Sequence, residues 1–355
     1  MNEQRERPLV LDYECLHSMP NGLREVRVWL DPVLETWLVG KRIDLSEVQG
    51  SDLVEPRVME MINHPNVVTV RSVAAIPSYK PPMKVVEVFM PYYELGSITD
   101  ALLRGERFTA AQSLRIIRAA LQGLAEMHER YGILHRDVKS PNLFLTGDAA
   151  TVKIGDLGLA SALDSTGRAP GVNAPHLYAP PELLIGDGLT RSSDLYSLGV
   201  VLLELLRGRF DYDAYTTTDV VDALLTGRPP LRPEDSALPA WVCKSLRRLV
   251  QKATDPDPER RFQTAREMSD QIAKIRIADW LEADGQIWEA PFLRNPKSRV
   301  RITAAPSKGG DGITLSTQRR KTMSWRRIGQ DVTVPSLDHR DARAVFESAN
   351  SLAVS

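Results

Sequence analysis

Two short strings lie close together near the middle of the chain: HRDVKSPNLF at residues 135–144 and GDLGLA at residues 155–160. The first string places an aspartate, a lysine and an asparagine within six residues, and the second places another aspartate nineteen residues after the first. A lone DLG after a strand-like run such as TVKI usually indicates only a turn. Its position after the longer polar string indicates that the two strings form one site.

The composition is that of an ordinary globular protein. Of the 355 residues, 43% are hydrophobic and 26% are charged, and the formal net charge is −1, so there is no whole-chain attraction to nucleic acid. The two cysteines, Cys15 and Cys243, are too few for a disulfide framework or a cysteine-rich metal site. The apolar run at residues 195–206 is too short to span a bilayer, and the first residues lack the apolar core of a signal peptide. We therefore expect a cytoplasmic protein without a membrane anchor.

The texture of the sequence changes twice along the chain. Short apolar runs rich in β-branched residues come first, with one helical stretch at residues 54–64 in which Val54, Val58 and Met61 lie at helical spacing. Longer helical patterns follow, and the longest, at residues 109–132, carries one apolar stripe. The last of these patterns spans residues 264–280. Short strand-like runs and a final helical run at residues 339–350 come last. We predict a flexible tail (1–8), a small β-rich unit with one helix (9–92), a larger helical unit (93–283) and a small basic β-rich accessory domain (284–355).

The longer string resembles the catalytic loop of protein kinases, H-R-D-x-x-x-x-N, and KIGDLGLA resembles their D-F-G segment with leucine replacing phenylalanine. By this resemblance Asp137 would accept the proton of the substrate hydroxyl, and Lys139 would balance charge on the transferred phosphoryl group. Asn142 and Asp156 would hold Mg²⁺, or Mn²⁺ in its place. The implied fold is α+β: a bilobal protein-kinase-like fold with a β-rich N-lobe and a helical C-lobe, followed by the small β-rich module.

Other segments resemble the parts of a kinase that hold ATP. TWLVGKRI resembles the family's third strand, which makes Lys41 the residue for the α- and β-phosphates, and Val26 falls where the family packs a valine on adenine. Counting back from HPNVV, the glutamate that pairs with this lysine falls at Glu55. EVFMPYYELGS resembles the hinge beside the adenine. The remaining residues expected around the nucleotide are Met90, Pro91, Tyr93 and Phe144.

The segment between Asp156 and Glu182, which ends in LYAPPELL, resembles the activation loop of the family. Arg136 would bind a phosphate on this loop. The expected phosphorylation sites are Ser161, Ser165 and Thr166. Ahead of LYAPPE the family usually has Gly-Thr-Pro, but here VNAPH lacks the hydroxyl that ties this loop to the catalytic loop.

Two further matches concern the support of the site. SDLYSLGVVLLELL resembles a buried helix whose aspartate, Asp194, ties down the backbone of the catalytic loop. DPERRF supplies Arg261 as the expected partner of Glu182 in a buried ion pair. The resemblance as a whole implies a non-specific serine/threonine protein kinase that moves the γ-phosphoryl group of ATP to protein hydroxyls, its own included.

One departure leaves a second hypothesis open. Aligned on Val26, the family's glycine-rich loop needs glycines where this chain has Met19, Asn21 and Arg24. Bulky residues there limit the approach of backbone N–H groups to phosphates. The alternative is a pseudokinase, a binding module with weakened nucleotide binding whose basic C-terminal domain docks a partner. A small-molecule kinase of related shape is a third reading. The complete set of Lys41, Asp137, Asn142 and Asp156 favours the active kinase.

The accessory domain is basic. Between residues 290 and 330 there are ten lysines and arginines against one acid, Asp311. A solvated charged face is the more common explanation of such a run. The functional interpretation is docking of an acidic substrate or partner. Nucleic acid is less favoured, although Trp325 among arginines would allow stacking. We expect protein substrates and no membrane partner.

Overall fold

The computed structural model describes residues 13–19, 26–45, 58, 60–147, 149, 151–283, 285–307, 309–321 and 323–355. Several sequence predictions fall outside these ranges: the tail at 1–8, Glu55, and the loop positions Asn21 and Arg24.

The first part of the chain forms an antiparallel sheet with the strand order β1-β2-β3-β5-β4. Residues rich in valine and other β formers build it, and the segment Val85–Phe89 of its fifth strand is buried throughout. The strands are β1 (Glu14–Met19), β2 (Val26–Asp31), β3 (Thr36–Asp44), β4 (Ser72–Ala75) and β5 (Val85–Pro91).

The helical stretch expected after this sheet's third strand is described only at its end. Val58 and Ile62 are fully buried, whereas Met61 is exposed. Sequence spacing placed Met61 in the apolar stripe, and the structure corrects this: the buried face continues through Ile62, four residues after Val58, as one face of a helix requires.

The second part is mainly helical. The stripe predicted at residues 109–132 is buried against the core, and Gly132 ends this stretch with a φ of +63°. The helices are α1 (Ile98–Leu103), α2 (Ala110–Ala125, continued by a π-turn at Glu126–Arg130), α3 (Arg191–Arg207), α4 (Thr217–Leu225), α5 (Lys244–Ala253) and α6 (Ala265–Ala273). Short strands lie between α2 and α3: β6 (Ile133–Leu134), β7 (Leu143–Thr146), β8 (Thr151–Ile154) and β9 (Ser161–Ala162). No helix in the described part of the chain is long and apolar enough to cross a bilayer.

The last predicted helix of this part, residues 264–280, is shorter than expected because it ends at Ala273. Ala278 and Trp280 are buried in a second core instead, with the side chains of the C-terminal sheet. Residues 275–280 form neither helix nor strand, and the N–H of Trp280 donates to the carbonyl oxygen of Ala278, so burial in that core overrides the helical pattern.

The C-terminal part is an antiparallel sheet covered on one face by a helix. Its strands are β10 (Leu281–Ala283), β11 (Ile287–Pro291), β12 (Arg299–Pro306), β13 (Ile313–Arg320), β14 (Trp325–Arg327) and β15 (Val332–Val334), and its helix is α7 (Arg340–Val354). Alternate residues of β12, such as Val300 and Ile302, are buried with Phe346 of α7, so the arginines between them lie on the other face. The domain division at residue 284 stays a prediction, and β10 lies just before it.

Candidate active site

A hairpin brings the two polar strings together. Strands β7 (Leu143–Thr146) and β8 (Thr151–Ile154) pair with Leu143 opposite Ile154, which places Asn142 opposite Gly155. The N–H of Gly155 donates to the carbonyl oxygen of Asn142 at 2.9 Å. Asn142 directly precedes β7 and Asp156 follows β8 by two residues, so the two residues lie next to each other at the same end of the hairpin.

Asp137 lies at the centre of a cluster of donors. Lys139 Nζ is 2.8 Å from Asp137 Oδ2, and Asn142 Nδ2 donates to the same oxygen at 3.0 Å and to the Asp137 carbonyl at 2.9 Å. His176 Nε2 is 3.0 Å from the other oxygen, Oδ1. Burial alone would raise the pKa of the Asp137 carboxyl, but His176 and Lys139 outweigh it and hold this pKa well below its ordinary value.

The backbone around Asp137 is held from beneath by Asp194 of α3. The two oxygens of this buried carboxylate accept the N–H groups of His135 and Arg136, each at 2.9 Å, and His128 Nε2 lies 2.7 Å from Oδ2. Arg136 has a φ of +64°, a conformation unfavourable for a residue with a side chain, and these bonds stabilise it. Burial raises the pKa of Asp194, yet the hydrogen bond from His128 and the neighbouring charges lower it overall.

Lys41 reaches the second string from the N-terminal sheet. It lies in β3 opposite Val26 of β2, and its Nζ is 2.5 Å from Asp156 Oδ1. Burial would raise the pKa of Asp156, but the charge and hydrogen bond of Lys41 lower it. Leu157, which replaces the family's phenylalanine, is buried. The structure thus brings Lys41 to the hairpin end that carries Asp156.

The residues expected at the hinge lie at the end of β5 and just beyond it. Met90 and Pro91 close this strand, with Val39 and Leu38 of β3 as their pairing partners. The ring of Tyr93 stacks on Phe144 at a centroid distance of 5.5 Å, and burial raises the pKa of Tyr93 to about 12. The hinge segment and β7 therefore meet through these two rings.

The segment expected to be the activation loop is tied to the catalytic loop through Arg136. Nε of Arg136 donates to the carbonyl oxygen of Leu159 at 2.5 Å, and Nη1 of Arg136 donates to the carbonyl oxygen of Pro170 at 2.8 Å. Between these two points the Thr166 hydroxyl donates to Asp164 at 2.6 Å. The hydroxyl of Ser161 is 3.5 Å from the carbonyl of Ala162, and Ser165 is exposed.

Glu182, at the end of this segment, meets Arg261 in a two-bond fork. Nη1 and Nη2 of Arg261 donate to the two carboxylate oxygens, each at 2.8 Å, and the Ser193 hydroxyl donates to Oε1 at 2.8 Å. The guanidinium also lies 4.6 Å from the ring centre of Tyr196. These contacts fasten the segment to α3.

Sequence reasoning missed His176 and the residues around it. VNAPH lacks the hydroxyl that usually ties this loop to the catalytic loop, and in the structure a different contact lies there, with His176 Nε2 3.0 Å from Asp137 Oδ1. Tyr178 adds a second tie: its hydroxyl is 2.7 Å from Ser140 Oγ and donates to Glu204 Oε2 at 2.8 Å. The available signal was a histidine two residues before a tyrosine, which by itself indicates nothing.

Comparison with known proteins agrees with this geometry. The model of the protein kinase domain matches residues 36–272, more than half of the chain. The chain belongs to the protein kinase family, and the predicted family and fold class are confirmed.

Its curated relatives include bacterial serine/threonine-protein kinases. A protein of Corynebacterium efficiens named serine/threonine-protein kinases drp72 is 31% identical over 243 residues, which are 67% of this chain and 42% of the relative. PknB of Mycolicibacterium smegmatis is 30% identical over 69% of this chain and 38% of its own. PrkC of Bacillus subtilis is 27% identical over 76% of this chain and 42% of its own. The chain thus spans about two fifths of the length of these relatives.

Proposed function

We propose that this chain is a serine/threonine protein kinase that transfers the γ-phosphoryl group of ATP to serine and threonine hydroxyls of proteins, its own among them. The observation that carries the proposal is the convergence of two charged pairs beside Asn142: Asp137 with Lys139, at 2.8 Å, and Lys41 with Asp156, at 2.5 Å. The names of the curated relatives support the same substrate class. A cytoplasmic location stays a prediction.

In the proposed reaction, the substrate hydroxyl oxygen forms a bond to the γ-phosphorus, the bond to the β–γ bridging oxygen breaks, and ADP leaves. Asp137 orients the hydroxyl and accepts its proton. Lys139, next to the same carboxylate, offsets negative charge on the transferred group. The contributions of these residues are positioning and charge stabilisation, with no covalent intermediate on the protein.

The nucleotide would lie between the N-terminal sheet and the hairpin of β7 and β8. Lys41 would bind the α- and β-phosphates, with Glu55 proposed as its further partner. Val26, directly opposite Lys41 in the sheet, would pack on the adenine. The other residues proposed at the adenine are Met90, Pro91, Tyr93 and Phe144.

The oxygen donors beside the hairpin end fit a magnesium ion. Asn142 directs its amide NH₂ to two oxygens of Asp137, so its amide oxygen faces the other way and is available to a cation. Protein sites for Mg²⁺ typically combine one or two side-chain oxygens with substrate phosphates. Asn142 and Asp156 would hold Mg²⁺, or Mn²⁺ in its place, and the bound ion neutralises charge on the β- and γ-phosphates.

Incubation of the purified chain with radiolabelled ATP, Mg²⁺ and a serine- and threonine-containing acceptor protein tests the proposal. We expect label on the acceptor and on the chain itself, with Ser161, Ser165 and Thr166 as the proposed sites of self-labelling. Asp137→Asn should reduce incorporation at least 100-fold, because general-base catalysis contributes roughly 10²–10⁴-fold. Asp187→Asn, the same change at an exposed position, is the matched control and should leave incorporation unchanged.

Two results would contradict the assignment. Label retained in Asp137→Asn would remove Asp137 from its role. Absence of label in a wild-type chain that still binds ATP, or that binds none, would favour the pseudokinase. The complete set of polar residues disfavours that alternative, because a pure binding module has no need of a carboxylate held by a lysine and an asparagine.

We also propose that the exposed face of the C-terminal sheet docks an acidic protein segment. Arg299 pairs across the strands with Arg320, and Arg320 pairs with Trp325. Together with Arg301 and Arg327 these residues form what we call the arginine face. Two acidic side chains lie among them. Glu289 Oε2 is 3.2 Å from Arg299 Nε, and Asp331 Oδ2 is 3.1 Å from Arg327 Nη2.

The surplus of positive charge on the arginine face favours a carboxylate-rich partner. Guanidinium groups of Arg301 and Arg320 lie 4.2 and 5.0 Å from the ring centre of Trp325, so this ring is covered by charge and is not free to stack on a base. Planar guanidinium groups match carboxylates well, with two bonds per pair. Acidic protein is therefore favoured over nucleic acid.

A labelled glutamate-rich peptide, compared with a glutamine-rich one, tests this docking by fluorescence anisotropy. The double variant Arg320→Gln with Arg327→Gln should weaken binding about 10-fold or more, and added salt should weaken it further. The control, Arg294→Gln with Lys297→Gln, removes the same charge from exposed turn positions and should change little. Equal loss in both double variants, or tighter binding of single-stranded DNA than of the peptide, would reject the proposed partner.

A further inference from the structure

His176 is the residue through which the segment after Gly171 reaches Asp137. We infer that His176 is a positioning residue for phosphoryl transfer: its neutral imidazole donates from Nε2 to Asp137 Oδ1 and fixes the carboxylate in its working orientation. The inference rests on the proposed kinase function and adds to it a residue to which the sequence motifs assign no role.

The carboxylate of Asp137 needs a hydrogen-bond donor at Oδ1. Its Oδ2 receives Lys139 and Asn142, but its buried Oδ1 has no aligned hydrogen bond among the described residues. A buried carboxylate oxygen without a donor is strongly unfavourable. His176 Nε2 is 3.0 Å away, within hydrogen-bond distance though not well aligned. Such bonds at catalytic groups commonly straighten when substrates bind.

A hydrogen bond to the ring of His176 decides which ring nitrogen carries the proton. The backbone N–H of Tyr178 donates to His176 Nδ1 at 3.2 Å, so this nitrogen carries a lone pair. In a neutral imidazole the proton then resides on Nε2, the nitrogen that faces Asp137. A hydrogen bond to one ring nitrogen thereby turns the other into a donor aimed at the carboxylate.

The segment that carries His176 is held in place through Tyr178. Tyr178, two residues later, is buried, and its hydroxyl contacts Ser140 Oγ at 2.7 Å and Glu204 Oε2 at 2.8 Å. Ser140 follows Lys139 in the catalytic loop, and Glu204 belongs to α3. The imidazole is therefore held by elements that also hold the catalytic loop, as a positioning group requires.

The consequence for catalysis is a fixed carboxylate plane. With Oδ2 bound to Lys139 and Asn142 and Oδ1 bound to His176, Asp137 cannot rotate, and a remaining lone pair faces the substrate hydroxyl. Without the imidazole, the carboxylate would turn towards Lys139 and Asn142 and lose this alignment. The loss affects the transfer step and not ATP binding, because the residues proposed for ATP contact lie on the N-terminal sheet, the hinge and the hairpin of β7 and β8, and His176 is not among them.

Two substitutions and one spectrum test the inference. His176→Phe keeps a ring but removes the donor, and should lower kcat roughly 10- to 100-fold with the KM for ATP changed less than about 3-fold. His176→Gln, whose amide N–H can reach the place of Nε2, should restore most of kcat. Equal melting temperatures for the two variants would exclude misfolding as the cause. The ¹⁵N spectrum of the labelled wild-type histidines should show the Nε2–H tautomer for His176, assigned by its loss in the Phe variant.

The outcomes separate this inference from the proposed function. An active wild-type chain whose Phe variant keeps or exceeds the wild-type kcat would reject the positioning role alone, as would an Nδ1–H tautomer. Failure of Gln to restore kcat when Phe lowers it would also reject a hydrogen-bond role. A wild-type chain that transfers no phosphate would reject the proposed function and this inference with it.

Discussion

Replacement of Arg261 by methionine should remove a large part of the stability of the helical part. The side chain is 2% exposed and carries a charge that is matched by Glu182 through two bonds of 2.8 Å. It also donates to the carbonyl oxygens of Asp255 and Pro256, at 2.6 and 3.0 Å, and packs on the ring of Tyr196. Methionine fills the space of the aliphatic stem but satisfies none of these acceptors.

The magnitude follows from the charge left behind. After the substitution Glu182 keeps the Ser193 hydroxyl but loses both charged donors, and breaking a buried ion pair by removal of one partner destabilises by about 3–5 kcal/mol. For a domain of this size, each kcal/mol lowers the melting temperature by roughly 2–4 °C, so a decrease of roughly 6–20 °C is expected. Arg261→Lys, which keeps the charge and loses the fork, should lie between this variant and the wild type.

Urea and thermal denaturation followed by circular dichroism measure the effect. The matched control is Arg260→Met, since the neighbouring side chain is 74% exposed and its pair with Asp257 is a surface contact expected to contribute less than about 0.5 kcal/mol. Combining Glu182→Met with Arg261→Met should recover part of the loss, because no unpaired charge remains. If the Arg261 and Arg260 variants differ by less than about 1 kcal/mol, the reasoning from buried charge is wrong.

Three further changes test other parts of the structure. Gly155→Ala should destabilise by about 1–3 kcal/mol in urea unfolding, because its Cβ would lie 2.7 Å from a ring carbon of Phe144 and force that ring to move. Tyr178→Phe should lower the unfolding free energy by about 1–3 kcal/mol, since Glu204 is buried and loses a donor; no change would mean that water replaces it. The folded chain lowers the pKa of Asp194 from 3.8, so the stability it supplies is present above that value and lost as the pH falls through the lower folded value. The wild-type advantage in urea midpoint over Asp194→Asn should therefore hold down to about pH 4 and shrink as the pH falls further, and a constant difference below pH ~4 would contradict the shift.

The part of the site that the sequence predicts well is the part that is local. Asp137, Lys139 and Asn142 lie within one short loop, and the register of a single hairpin places Asp156 next to them. Short-range spacing decides such geometry, because a loop and a hairpin have few alternative shapes. Lys41, 115 residues before Asp156, was predictable only through the resemblance of TWLVGKRI to the family's third strand and the position of Val26.

The part that the sequence does not predict depends on contacts between distant segments. VNAPH indicates only that a hydroxyl is missing, because nothing in it specifies that an imidazole lies near Asp137 instead. The end of α6 at Ala273 was missed for a similar reason. The sequence pattern continues as a helix beyond Ala273, but the helix ends there because Ala278 and Trp280 are buried in the C-terminal core.

One buried helix, α3, holds both the loop that carries Asp137 and the segment that carries His176. Asp194, in the first turn of α3, accepts two N–H groups of the catalytic loop, and Glu204, ten residues further along, accepts the hydroxyl of Tyr178. Ten residues of helix span about 15 Å, so α3 extends beneath the whole site. Burial raises the pKa of Glu204, whereas that of Asp194 is lowered, and each carboxyl is matched to its donors. The helix therefore fixes the loop that carries Asp137 at one end and the segment that carries His176 at the other. A displacement of α3 would misplace the carboxylate and its imidazole partner together, which makes the geometry of the proposed base a property of the C-lobe core and not of the loop alone.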